Sequence, residues 1–291
     1  NQWPHDLVPY FADGDEFHMA FHFPIMPRIF KSVALGERSS LVQILRDTPK
    51  IPQNCQWCTF LRNHDELTLE MVTEEDRNLM WQLYAPDRRM RLNLGIRRRL
   101  APLMDGSKIK IELLHAILFS LPGTPVIYYG DEIGMGDNIR LSDRDGVRTP
   151  MQWSQEKNAG FSKARPEQLY LPVIDSGPFA YKKINVEAQK NEEQSLLNRI
   201  RRLVSIRKAY PVFSSQSYRI REDFELSLFA IERENIFCLH NLSGEEKTLN
   251  VGDGSFLVLN SSAPHLNGCA SIISGDIILN PYTYVWLTKA S

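Results

Sequence analysis

Residues 60–66 read Phe-Leu-Arg-Asn-His-Asp-Glu and close a short apolar run that begins at Trp57, just after Pro49 and Pro52. A run this short, bounded by prolines, has the length of a strand, and it delivers three titratable side chains at its carboxyl end. Two other runs share the texture. Phe17–Phe23 alternates, with Phe17, Met19, Phe21 and Phe23 on one face and His18, Ala20 and His22 on the other. Thr124–Tyr129 is Thr-Pro-Val-Ile-Tyr-Tyr, β-branched and aromatic as a buried parallel strand is, and it too ends in acids, Gly130-Asp131-Glu132. Helical spacing fills the gaps. Ile29, Phe30, Val33, Leu41, Ile44 and Leu45 form one pattern, interrupted near Gly36, and Ile109, Leu113, Leu114, Ile117, Leu118 and Leu121 form another, closed by Pro122-Gly123. Strand alternating with helix predicts a parallel α/β unit. Three such units are present where a closed barrel needs about eight.

Residues 133–190 form a long connection rich in Gly, Pro, Asp and Asn, and Leu196, Leu197, Ile200, Leu203 and Val204 then mark a helix. Beyond Tyr210-Pro211 come short alternating runs separated by turn residues: 226–231, 236–240, 256–259, 277–279 and 282–287. Their spacing predicts an antiparallel β domain. The expected organisation is therefore an α/β part over 1–209 and a β domain over 210–291.

Composition narrows the function classes. The 291 residues are 43% hydrophobic and 24% charged, with 34 Lys+Arg against 35 Asp+Glu and a net charge of -1. Ordinary globular composition excludes disordered and fibrous classes, and the charge balance gives no field that favours nucleic acid or an anionic membrane. No apolar run reaches the length of a spanning helix, and the opening Asn-Gln-Trp-Pro-His-Asp has neither an initiator Met nor the regions of a signal peptide. Cys55, Cys58, Cys238 and Cys269 are too few to staple a chain of this size, so a reducing, cytoplasmic setting is expected. Cys55-Gln-Trp-Cys58 has redox spacing but leads into a strand rather than a helix start, and is read as structural.

In α/β barrels the carboxyl ends of the strands form the reactive rim, so His64-Asp65-Glu66 and Asp131-Glu132 are expected on one side. Carboxylates grouped around a neutral substrate suit glycosidic chemistry, in which one acid protonates the leaving oxygen and another attacks or activates water. The bland alternatives are that these acids cap the next helix or bind Arg62. Asp143-Arg-Asp145-Gly146 fails as a calcium loop, because positions one and twelve would be Leu141 and Gln152. Gly134-Met-Gly136 is too short for a dinucleotide fingerprint. Arginines 88, 89, 91, 97, 98 and 99 are expected to form a solvated or salt-bridged surface, with the acids of 70–76 close by.

Asn63-His64-Asp65, Gly123-Thr-Pro-Val-Ile-Tyr-Tyr-Gly-Asp-Glu-Ile-Gly134, Arg148-Thr-Pro-Met-Gln-Trp153 and Asn185-Val-Glu-Ala-Gln189 together resemble the α-amylase family of glycoside hydrolases. Asn1-Gln-Trp-Pro4, Phe17–Pro24, His64–Glu70 and Asn93–Pro102 look more narrowly like the branch that interconverts maltose and trehalose. The resemblance implies the carboxyl-terminal part of a (β/α)8 TIM barrel followed by a small antiparallel β-sandwich. It implies a retaining mechanism with an Asp nucleophile, a Glu acid/base and a transition-state-stabilising Asp. Asp65 matches the last of these, His64 the residue that hydrogen-bonds sugar hydroxyls, and Glu66 and Arg148 the closure around the leaving sugar.

The nucleophile and the acid/base have no counterpart in this sequence, and the resemblance places them, with the usual calcium ligands, upstream of Asn1. No metal or cofactor is therefore expected, and the ligands would be maltose, trehalose or glucose. The chain alone is expected to be inactive and to self-associate through strand edges that a partial barrel exposes. Two alternatives remain: a hydrolytic sibling of the α-glucosidase or oligo-1,6-glucosidase type, and a non-catalytic binding or scaffold domain.

Overall fold

The computed structural model describes residues 2–252, 255–266, 271–273 and 276–290; Cys269 and Asn1 lie outside the described residues. The chain divides into two compact units. One holds Phe60–Ile111 and Val126–Arg201, the other Gln2–Thr59, Glu112–Pro125 and Arg202–Ser291.

The second unit contains the first strand β1 (Met19–Phe21), the helices α1 (Ile25–Leu35) and α2 (Ser39–Asp47), and strand β2 (Gln56–Phe60). β1 and β2 pair in parallel, Met19 opposite Gln56 and Phe21 opposite Cys58, and β3 (Thr124–Val126) flanks β2 on its other side. The break between α1 and α2 falls where the sequence placed it, at Gly36, whose left-handed φ of 67° ends the first helix. The alternation in β1 is real, but the apolar face is the open one. Met19 and Phe21 are about half exposed, whereas His22 is buried at 2%. Periodicity says which residues share a face, and packing decides which face is covered: here it is the one beside Phe11, Ile51, Cys55 and Trp57. His22 Nε2 lies 2.7 Å from Thr48 Oγ1 and its Nδ1 accepts from Ile25 N–H at 3.2 Å, so burial can hold it neutral, its pKa lowered to about 4.

The rest of this unit is all β. Six strands, β4 (Arg219–Arg221), β5 (Leu228–Arg233), β6 (Ile236–Asn241), β8 (Ser255–Ser261), β9 (Ser271–Ile273) and β11 (Tyr284–Lys289), form an antiparallel sheet in the order β9-β8-β11-β6-β5-β4. A second, two-stranded sheet pairs β7 (Lys247–Asn250) with β10 (Asp276–Leu279). Leu228, Leu239, Val285 and Leu287 from the large sheet meet Leu249, Ile277 and Leu279 from the small one, which makes a sandwich core. The opposite face carries Arg233, fully buried, donating to the carbonyls of Ser120, Val212, Phe213, Ser215 and Ser217. Strand β7 is absent from the sequence reading, because Lys-Thr-Leu-Asn buries one side chain, Leu249.

The other unit is built mostly from turns. Helix α3 (Glu74–Tyr84) begins at Thr73, whose side chain accepts from Asp76 N–H at 3.1 Å, with Glu74, Glu75 and Asp76 in the first turn. Those acids cap a helix, and the arginine cluster finds partners elsewhere. Arg98 pairs with Asp137 at 2.9 Å, and Arg99 is fully buried rather than solvated. Helices α4 (Lys108–Ser120) and α6 (Leu196–Ala209) match the two apolar stripes, and α5 (Val186–Lys190) is a short turn of helix before α6.

Candidate active site

At the end of β2 the backbone turns through Asn63, whose Oδ1 accepts from Asp65 N–H at 2.9 Å. This side-chain turn stops the strand and projects His64 and Asp65 outward, at 67% and 40% side-chain exposure. Arg62 holds the turn from beneath. Buried at 1%, it donates to Arg98 O at 2.6 Å and to Asp65 O at 2.8 Å. The alternative reading, in which these acids bind Arg62, is met only through backbone, and the Asp65 carboxylate is left to other partners.

Those partners are two arginines from one loop. Arg144 Nε reaches Asp65 Oδ1 at 2.8 Å and Arg148 Nη2 reaches the same oxygen at 2.9 Å, while His64 Nε2 lies 3.4 Å from Oδ2. Arg148 Nε also donates to His64 O at 2.9 Å. Glu66 stands behind, accepting from Asn93 Nδ2 at 2.6 Å and from Arg144 Nη2 at 3.3 Å. Its stem lies so near Gly95 that a Cβ there would come within 2.6 Å of Glu66 Cβ, which only glycine avoids. His64, Asp65, Glu66 and Arg148 are thus brought together.

Two further motifs hold Arg148 in place. Tyr128 Oη donates to Val147 O at 2.8 Å and Tyr129 Oη to Thr149 O at 2.7 Å, pinning the backbone on either side of the arginine. Past it, Gln152 O accepts from Val186 N–H at 3.0 Å and Trp153 O from Glu187 N–H at 2.9 Å, so the 148–153 strip is tied to the start of α5. Arg97 donates to the carbonyls of Ile139, Leu141 and Asp143, which fixes the loop presenting Arg144.

The second acid pair is not on the rim. Asp131 is buried at 2% and flanked by the charges of Arg99 and Arg62; burial pushes its carboxyl up to about 7, and the two arginines oppose that rise. Arg99 lies between the rings of Tyr128 and Tyr129, 4.7 and 4.5 Å from their centroids, and donates to Tyr129 O. Asp131 is thus a buried acid under the turn, near both arginines. Glu132, half-buried and also raised by burial, lines a cavity of about 530 Å³ beside Arg148.

Among the described residues no group of three or more His, Cys, Asp and Glu is placed to hold a metal ion, and no helix is long and apolar enough to cross a membrane. The corner sets two carboxylates, Asp65 and Glu66, against the guanidinium groups of Arg144 and Arg148. Arg144, Tyr128, Tyr129 and Arg97 were missed by reasoning from sequence. The signal for Arg144 was present, since it lies in the Asp143-Arg-Asp145-Gly146 stretch that failed as a calcium loop.

Comparison with known proteins bears on the family and the fold. The Alpha amylase, catalytic domain family matches residues 96–216. Trehalose synthase/amylase TreS of Mycobacterium tuberculosis (strain ATCC 25618 / H37Rv) is 52% identical over 254 residues, covering 84% of this chain and 42% of that protein. Trehalose synthase of Thermus thermophilus is 53% identical over 253 residues, covering 87% of this chain and 26% of its own length. In fold, the alpha-amylase from H.orenii matches with a TM-score of 0.70 at 21% identity, over 99% of this chain and 52% of that one. The chain therefore spans less than half the length of either of these two curated relatives. It belongs to the α-amylase family, as a partial-length homologue of trehalose synthases joining part of a (β/α)8 barrel to an antiparallel β-sandwich.

Proposed function

We propose that residues 1–291 form part of a retaining α-glucosyl-transferring enzyme that interconverts maltose and trehalose by intramolecular transfer. Asp65 steadies the oxocarbenium-like centre, His64 binds hydroxyls of the reacting sugar, and Glu66 and Arg148 close around the sugar that leaves. The observation that carries this reading is the convergence of Arg144 and Arg148 on one oxygen of Asp65. It fixes and aims that carboxylate, as a group placed beside a cationic transition state requires.

Intramolecular transfer needs the freed glucose to be retained and water excluded while it turns. The nucleophile and acid/base of this mechanism would come from outside residues 1–291. The 291-residue chain by itself then turns over no maltose, and the open face of β1 takes part in self-association. The barrel part would end at residue 209 and the β domain occupy 210–291, in a cytoplasmic protein. The test is isotopic: full-length protein is given ¹³C-maltose with excess unlabelled glucose. Doubly labelled trehalose with little label dilution supports the reading. Free glucose without trehalose would establish the hydrolytic alternative, which the words "synthase/amylase" in the name of the mycobacterial relative keep in view.

A further inference from the structure

A second cavity, of about 490 Å³, opens in the unit that carries Asp65, and none of His64, Asp65, Glu66 and Arg148 lines it. Its inner wall is apolar, built from Ala101, Ile111, Ile133, Phe179, Ile184 and Leu196. Glycines keep the space open. Gly134 has a left-handed φ of 72°, and a Cβ there would stand 3.4 Å from Leu196 Cδ2 and 3.9 Å from Ala101 Cβ, in the middle of that wall. At Gly136 a Cβ would come within 2.4 Å of Phe179 Cβ, so only glycine lets Phe179 pack over that loop.

The more buried polar side chains of the lining are already engaged. Gln189, 8% exposed, donates through Nε2 to Ile133 O at 2.7 Å and accepts through Oε1 from Leu197 N–H at 3.0 Å. Arg98 Nε donates to both oxygens of Asp137, at 3.0 and 2.9 Å, so its charge is matched within the protein.

The mouth is different. Asp105 and Lys108 line it, both exposed, and among the described residues neither side chain forms an ion pair or a hydrogen bond. The turn that presents them is set by backbone: Gly106 N–H donates to Ala101 O at 2.8 Å and Ser107 N–H to Met104 O at 2.9 Å, with Asp105 itself at a left-handed φ of 52°. Lys108 is also the first residue of α4, where the helix dipole adds to its preference for an anion. One unpaired charge of each sign therefore stands before an apolar interior.

That combination selects the ligand. A singly charged molecule would meet its own sign on one of the two residues, and a wholly apolar one would leave both unanswered. A zwitterion with an apolar tail answers all three features. We propose that this cavity binds a free α-amino acid with a branched or aromatic side chain, its ammonium group at Asp105, its carboxylate at Lys108 and its side chain against Phe179, Ile111 and Leu196. A volume of about 490 Å³ accommodates a side chain of that size. Binding here is independent of glucosyl transfer.

The test is calorimetric titration of the 291-residue chain with L-leucine and L-phenylalanine, with glycine, 3-phenylpropionate and phenethylamine as the ligands that lack the side chain, the ammonium and the carboxylate in turn. Saturable binding of the two apolar amino acids is expected, with glycine undetected and the two singly charged analogues weaker than phenylalanine by about tenfold or more. Lys108→Met should weaken phenylalanine by about tenfold and leave phenethylamine within about twofold. Asp105→Asn, whose side chain also tolerates a left-handed φ, should weaken phenylalanine by about tenfold and leave 3-phenylpropionate within about twofold. Both residues are exposed, so neither variant endangers the fold. Asp65→Asn should bind phenylalanine as the parent does. Absence of binding of both amino acids, a singly charged analogue that binds as tightly as phenylalanine, or unchanged phenylalanine binding in either charge variant would each overturn the proposal. Trehalose formation by the full-length protein is a separate readout, so this site can fail while the proposed reaction stands.

Discussion

The two units bury charge in different ways. In the unit that carries Asp65, arginines that also donate to carbonyls are joined by cations set against anions: Arg98 against Asp137, Arg62 and Arg99 around Asp131, Arg144 and Arg148 on Asp65. In the unit that carries the sandwich, buried arginines are set against backbone carbonyls, and buried histidines are held neutral. Arg207 donates to the carbonyls of Phe119, Leu121, Gly123 and Phe213, and Arg233 to five others. His240, its Nδ1 3.0 Å from Phe229 O, is lowered to about 4 by burial, as is His22. Paired charges fix the position of a carboxylate at a desolvation cost. Carbonyl-bound arginines clamp the end of α4 and the 212–217 segment without an anion.

The largest expected effect breaks the clamp. Arg233→Ala removes the shared donor of five carbonyls and should cost about 4–6 kcal/mol in denaturant unfolding. Retention of most stability would mean those carbonyls are satisfied otherwise.

The next effect sharpens the comparison through pH, because the units respond with opposite sign. His22 and His240 have pKa values near 4 in place of 6.5, so their contribution is present above about pH 6.5 and is lost as pH falls through 4. The loss is on the order of 3 kcal/mol for each. Histidine proton NMR should show neither ring titrating above pH 5. Asp131 has a pKa near 7 in place of 3.8, so its contribution is present below about pH 4 and is lost as pH rises through 7. Asp131→Asn should remove the opposing loss between pH 4 and 7, so that the rise of melting temperature with pH due to the histidines becomes steeper over that window. An unchanged profile would mean that Arg62 and Arg99 keep the carboxylate ionised throughout.

The smallest effect concerns the exposed corner. Arg148→Ala breaks an ion pair whose partners are 35% and 40% exposed, so its stability cost should stay below about 1 kcal/mol. A larger cost, measured by the same denaturant titration, would make Arg148 a structural residue.

Much of this arrangement was legible in the sequence. The strands at 56–60 and 124–126, the helix break at Gly36 and the helices over 108–120 and 196–209 follow from apolar spacing and glycine placement. Helix α3 was not legible, because it buries only Met80 and so has no apolar stripe to announce it. At the site, the Asn63-His64-Asp65 cluster was found because a strand end concentrates it. Arg144 and the two tyrosine hydroxyls were not, since their contacts with Asp65 and the 147–149 backbone join segments far apart in sequence. The burial of Asp131 was equally hidden: two acids at a strand end look alike until Arg62 and Arg99 are seen beneath one of them.

The central claim is that Asp65 serves glucosyl transfer, and it is tested most directly by comparing full-length protein with its Asp65→Asn variant on maltose. The account predicts trehalose from the parent, and from the variant a loss of turnover of about 10³-fold or more at little cost in folding stability. Trehalose formation at an undiminished rate by the variant would contradict it.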